Sequence, residues 1–153
     1  MNQEQLDSAA ALSPILSPQD RHPVLPSDPV TILLVEDDDP IREITSLLLG
    51  TLNYTVITAA SGAEALEKFV EHRGLIHVLL TDIVMPRMSG LQLVQELRKI
   101  DPDLKIIYMS GYSTTTFPKS TGEHFIQKPF TLDMLRKTLA EVMEGLVAQV
   151  VAH

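Results

Sequence analysis

From Val30 onward, short apolar runs alternate with longer stretches of mixed polarity, and that alternation predicts the elements. VTILLVE (30–36), YTVITA (54–59), HVLLTD (77–82) and LKIIYMS (104–110) read as strands. Val78, Leu79 and Leu80 have the uninterrupted apolar character of a parallel strand buried on both faces. HFIQK (124–128) alternates and suits a short, half-buried strand. Between them PIREITSLLLG (40–50), SGAEALEKFVEH (61–72) and SGLQLVQELRKI (89–100) read as helices, and TLDMLRKTLAEVMEGL (131–146) as a final one. Local signals bound these helices: Pro40 in a first turn and Gly50 past an end. A Ser61–Glu64 capping box opens the second helix, and Thr131 caps the last. Strands alternating with helices imply right-handed crossovers and a mostly parallel sheet, an α/β fold. The sequence contains no internal repeat.

Two stretches break the pattern. GYSTTTFPKSTGE (111–123) lies where a crossover helix is due but has almost no helical periodicity, so that helix is expected to be short or frayed. Residues 1–29 are rich in proline (Pro14, Pro18, Pro23, Pro26, Pro29). Proline removes a backbone donor and biases the residue before it against helix, so this arm reads as a disordered arm or extended linker. The expected division is an arm over 1–29, one domain over 30–145, and a C-terminal extension of the last helix or tail over 146–153. No DNA-binding output domain is expected after that helix.

In a parallel sheet all carboxyl strand ends lie on one edge, where open α/β sheets bind ligands. Those ends carry Glu36, Asp37 and Asp38 after the first strand, Asp82 after the third, Ser110 after the fourth and Lys128 after the fifth. Carboxylates brought together repel one another unless a cation sits among them. Oxygen donors without His or Cys point to a hard cation, Mg²⁺ above all. A carboxylate can also be a nucleophile that takes a phosphoryl group as an acyl phosphate. Lys128 would supply a point charge for a phosphoryl oxygen and Ser110 a hydroxyl donor. Asp38 and Asp39 read instead as N-terminal residues of the next helix, where acidic groups suit the helix dipole.

Composition excludes several other classes. The chain has 153 residues, enough for one domain with a proper core, and is 44% hydrophobic with few aromatics. Its formal net charge of −8 argues against a nucleic-acid surface. Without cysteine there is neither a disulfide scaffold nor a thiolate metal site. No apolar run approaches the roughly 18 residues of a membrane span, and the N-terminus lacks signal-peptide character. A cytoplasmic protein without membrane insertion is expected.

VEDDDPIR (35–42), LLTDIVMPRMSG (79–90), MSGY (109–112) and FIQKPF (125–130) occur in an order that resembles response-regulator receiver domains, over about 30–145. The resemblance implies a flavodoxin-like, doubly wound five-stranded parallel sheet in the order 2-1-3-4-5. It implies Asp82 as phosphoacceptor, Asp37 and Asp82 as Mg²⁺ ligands, Glu36 acting through water and the backbone carbonyl of Val84 as a further ligand. Ser110 would be the switch hydroxyl, Lys128 the site lysine and Phe125 the switch aromatic, with Pro129 following a cis bond. The motif wording is most similar to the C-terminal receivers of hybrid histidine kinases, which makes the arm resemble an interdomain linker.

The function implied is a two-component phosphoacceptor rather than a turnover enzyme. It would take phosphoryl from a histidine kinase or histidine phosphotransfer protein and change a surface for an unknown downstream protein. Phosphoryl on Asp82 would draw Ser110 and let Phe125 rotate inward. Val84 and Tyr112, apolar and bulky beside the water route, would slow hydrolysis. Alternatives are a phosphorelay intermediate, a vestigial receiver serving as a constitutive binding module, and a Mg²⁺-dependent aspartyl phosphohydrolase. The last usually carries a second Asp two residues after the first, where this chain has Val84.

Overall fold

The computed structural model describes residues 29–111 and 123–152, the last six as backbone only. Its strands are β1 (Thr31–Val35), β2 (Thr55–Ala59), β3 (Val78–Asp82), β4 (Lys105–Ser110) and β5 (Glu123–Gln127). Its helices are α1 (Asp39–Thr51), α2 (Gly62–Glu71), α3 (Gly90–Ile100) and α4 (Leu132–Ala152). The strands form one sheet in the order β2-β1-β3-β4-β5, as the resemblance implies. Every pairing is parallel. Val35 pairs with Ala59 and Thr81, Asp82 with Met109, and Ser110 with Gln127, so the carboxyl ends are nearly level. The expected helix after β4, the arm over 1–28 and Tyr112 lie outside the described residues.

Successive strand residues point to opposite faces, and the sheet has a core on each. On one face Leu33, Val35, Leu79, Ile106 and Tyr108 pack with Ala65 and Phe69 of α2 and Leu93, Val94 and Leu97 of α3. On the other, Ile32, Leu34, Val78, Leu80, Ile107 and Met109 meet Leu49 of α1 and Leu135, Leu139, Val142 and Leu146 of α4. The central strand β3 is buried at all five positions. Asp82 is therefore carried at the end of the central, fully buried strand.

The ends of the helices are set by side chains. Asp38 accepts from the Ile41 amide and caps α1, with Pro40 in the first turn. Ser61 accepts from the Glu64 amide, while Glu64 accepts from the Ala60 amide rather than that of Ser61. Ser89 and Gln92 form a reciprocal capping box on α3. Thr131 accepts from the Met134 amide and starts α4, which continues to Ala152 with Leu146 still buried. One boundary differs from expectation. Gly50 lies inside α1, and the left-handed turn beyond the helix is made by Asn53 at φ 70°. Asn is the residue besides Gly that tolerates that conformation, which is why the helix runs on past Gly50.

Candidate functional site

Asp82 closes β3, and the ends of β1 and β5 bring its partners. The Lys128 ammonium donates to Glu36 Oε1 at 2.8 Å and to Asp82 Oδ2 at 3.1 Å. Oxygens of Glu36, Asp37 and Asp82 lie within 4.8 Å of one another. Glu36 is buried at 1% exposure and Asp82 at 8%, while Asp37 faces solvent. Burial works against charge on Lys128, but the hydrogen bond to Glu36 and the charges of Asp82 and Glu36 outweigh it and raise its pKa. Lys128 thus stays protonated at neutral pH. Three carboxylates around one ammonium leave net negative charge in a partly desolvated pocket open at Asp37. These hard oxygen donors fit a divalent cation such as Mg²⁺, with Asp37 and Asp82 able to ligate and Glu36 held back by Lys128.

The loop after β1 is fixed bond by bond. Glu36 N donates to Ala59 O at 3.1 Å, extending the strand pairing. Glu36 Oε2 accepts from the Asp38 amide at 3.2 Å, and its carbonyl accepts from Arg42 Nη1 at 2.8 Å. Asp38 and Asp39 stand at the helix start, as expected. The Lys128–Pro129 peptide bond is cis, as the resemblance implies.

The loop after β3 is held equally closely. Ile83 N donates to Met109 O at 3.1 Å and Gly90 N donates to Ile83 O at 2.8 Å. A Cβ at Gly90 would sit 2.2 Å from the Asp82 carbonyl oxygen, so only glycine permits this approach. Arg87 is left-handed at φ 69°, a strained conformation for a long side chain, and Met88 packs over Gly62 of α2. Val84 is 62% exposed and Met85 turns inward. Gly90→Ala must push the Asp82 backbone aside. It is expected to cost about 2 kcal/mol in urea unfolding. Gly50→Ala, with no atom within 4 Å of the new Cβ, is expected to be neutral or stabilising.

Ser110 ends β4 and is buried, and its carbonyl accepts from the Lys128 amide at 2.7 Å, tying the last two strands together at the site. Phe125 is half-buried on β5 and stacks on Tyr108 with ring centroids 5.3 Å apart. Tyr108 lies two residues before Ser110 on the same face of β4. Burial, and then the charge of Glu123, push its phenol up to about 12. The unfolded phenol ionises near its ordinary value of 10 while the folded one resists. Stability should therefore be intact below pH 10 and fall between pH 10 and about 12. Tyr108→Phe is expected to flatten that fall in denaturant titrations across the range.

The structure thus gathers Glu36, Asp37, Asp82 and Lys128 at one point, with Ser110 at the end of β4, Phe125 in the middle of β5 and Val84 exposed in the loop two residues after Asp82. Three participants escape a reading of motifs. Gly90 stands in the sequence only as the start of a helix, and its close approach to the Asp82 carbonyl arises from the tertiary fold. Tyr108 was one apolar strand position among several. Arg42 carries a helix-face charge whose target, a backbone carbonyl, leaves no trace in the sequence.

Comparison with known proteins defines the class. The profile of the response regulator receiver domain matches residues 32–140. The chain is 43% identical over 122 residues to the sensor kinase CckA of Brucella abortus, covering 77% of this chain but 13% of that protein. It is 36% identical to the response regulator receiver protein CpdR of the same organism, covering 76% of this chain and 97% of CpdR. Among solved structures, the receiver domain of the hybrid histidine kinase CckA superposes with a TM-score of 0.62 at 34% identity, covering 76% of this chain and 98% of that one. Chemotaxis protein CheY4 of Vibrio cholerae does so with 0.68 at 29%, covering 75% and 99%. The chain belongs to the response-regulator receiver family of two-component signalling. No helix among the described residues is long and apolar enough to cross a membrane.

Proposed function

We propose that Asp82 accepts a phosphoryl group from a phosphohistidine donor, with Mg²⁺ bound by Asp37, Asp82 and the Val84 carbonyl. The observation that carries this reading is the Lys128 ammonium bridging Asp82 and Glu36 beside an exposed Asp37. A carboxylate oxygen of Asp82 attacks phosphorus, an O–P bond forms, the P–N bond breaks and the donor imidazole leaves. Bound Mg²⁺ would neutralise charge on the transferring group. Lys128 holds one Asp82 oxygen and stands ready for a phosphoryl oxygen. Glu36 orients Lys128, and Ser110 offers its hydroxyl to the product. The Phe125 ring, on the same pair of strands, passes the change to the surface. Val84, exposed and apolar, limits water at the acyl phosphate.

The partner is a histidine kinase or histidine phosphotransfer protein. A groove of about 360 Å³ lined by Ile41, Ile44, Thr45, Leu48, Pro129 and Phe130 opens beside Lys128. Ile44 is 58% exposed. An apolar helix face carrying the phosphohistidine fits this groove within reach of Asp82. Ile44→Glu is expected to slow transfer from such a donor about tenfold or more while leaving acetyl phosphate labelling unchanged. Equal slowing with both donors would place the partner elsewhere.

The modified residue can be located directly. Treatment with acetyl phosphate and Mg²⁺, borohydride reduction and peptide mapping should mark Asp82 alone. Labelling of another carboxylate would overturn the assignment.

A further inference from the structure

We propose that Arg42 is a positioning residue that holds the loop between β1 and α1 so that Asp37 faces Asp82; this rests on the metal reading above. The Glu36 carbonyl lies just beyond the last β1 residue: Glu36 N still bonds Ala59 O of β2, but strand pairing ends at Val35 on both sides, so the carbonyl has no ladder partner. Arg42 Nη1 supplies the missing donor at 2.8 Å. Its other nitrogen, Nη2, binds Asp39 Oδ1 at 2.6 Å. The guanidinium is therefore fixed at both ends, and its side chain is only 20% exposed. A charge-assisted bond to a carbonyl is stronger than a neutral one, and the planar fork makes both contacts without strain.

Every neighbour of Asp37 in the loop is tied. Glu36 is held through its amide, carbonyl and both carboxylate oxygens. Asp38 is held by its amide to Glu36, and its carboxylate and carbonyl accept from the Ile41 and Arg42 amides. The Asp37 carboxylate takes no hydrogen bond or ion pair among the described residues, yet it lies within 4.8 Å of the Glu36 and Asp82 oxygens. Its place is set by its neighbours' bonds, and the Arg42–Glu36 link ties the residue before it to α1 through a side chain, as the Asp38 bonds tie the residue after it.

The sign of a metal-affinity change separates this role from plain electrostatics. A nearby cation repels Mg²⁺, so removing its charge alone would tighten binding. Loss of a positioning contact would weaken it, by about tenfold as for other residues that orient metal ligands. The experiment uses the full chain, Arg42→Met, which keeps the aliphatic stem, and Arg42→Lys, which keeps the charge. Mg²⁺ affinity is measured by calorimetry, and amide hydrogen exchange at Asp37 and Asp38 is measured without metal. Arg42→Met should bind Mg²⁺ about tenfold more weakly and exchange those amides about tenfold faster, with Arg42→Lys in between. Unchanged or tighter Mg²⁺ binding by Arg42→Met would overturn the proposal. Should the parent itself bind no Mg²⁺, the metal reading fails. Exchange then decides alone: faster exchange upholds Arg42 as the loop's anchor and unchanged exchange refutes it.

Discussion

Asp82→Asn is expected to abolish phosphoryl capture and, without Mg²⁺, to leave the protein more stable than the parent. The stability gain follows from counting charges. Asp82 attracts one ammonium at 3.1 Å but repels two carboxylates whose oxygens lie within 4.8 Å. Asparagine keeps the shape and an oxygen for Lys128 to bond, and removes both repulsions. With partly buried charges the balance favours the variant by about 1 kcal/mol. Added Mg²⁺ should reverse the order, because it stabilises the parent in proportion to its affinity and has lost a charged ligand in the variant. Urea unfolding of both proteins, with and without millimolar Mg²⁺, checks this. A variant less stable than the parent in the absence of metal would mean that Asp82 is a structural partner of Lys128 rather than a group held under repulsion.

Lys128→Met has the opposite signature. It strips from Glu36, which is 1% exposed, and from Asp82 the one ammonium that pairs with them among the described residues. Breaking a buried pair by removing one partner costs about 3 kcal/mol, since the remaining charges stay desolvated. Here a divalent cation can replace much of the lost charge, so Mg²⁺ should recover a larger share of stability in this variant than in the parent. Transfer to Asp82 should still fall about a hundredfold, the usual scale for losing a fixed positive donor at a developing charge. Stopped-time labelling with acetyl phosphate measures that fall. Full activity in Lys128→Met would reduce Lys128 to a structural counter-ion.

These two residues show how much of the molecule was legible beforehand. Asp82 and Lys128 stood at the ends of apolar runs, and parallel topology alone sends such ends to one edge. Given the alternation of runs, their convergence follows. The two-sided burial of β3 was equally plain in VLL. Gly50 was harder: a glycine near the end of a helical pattern looks like a stop. Asn53 could take the left-handed position three residues later, and the backbone hydrogen bonds of the last turn chose it. The bond from Arg42 to a carbonyl and the contact of Gly90 with the Asp82 backbone are set by tertiary approach. Neither has a periodicity or a motif to announce it. The Tyr108–Phe125 stack belongs to the same kind, since register between two strands puts the rings side by side.

The network also explains why the site can afford to be poised. A stiff buried strand carries Asp82, a bonded loop presents Asp37, and a single ammonium restrains charges that a metal would otherwise balance. Strain at Arg87 and repulsion among carboxylates are concentrated within a few residues of Asp82. Both are tolerated because the two cores on either side of the sheet hold the surrounding backbone in place.

Mg²⁺-dependent capture of a phosphoryl group by Asp82 is the proposal on which the other roles depend. Intact mass after incubation with a phosphorylated histidine-containing donor tests it most directly, run beside Asp82→Asn and a metal-free sample. The expected result is a gain of about 80 Da in the parent with Mg²⁺ and none in the other two. A parent that gains nothing while the donor stays competent toward another receiver, or a gain that persists in Asp82→Asn, would contradict it.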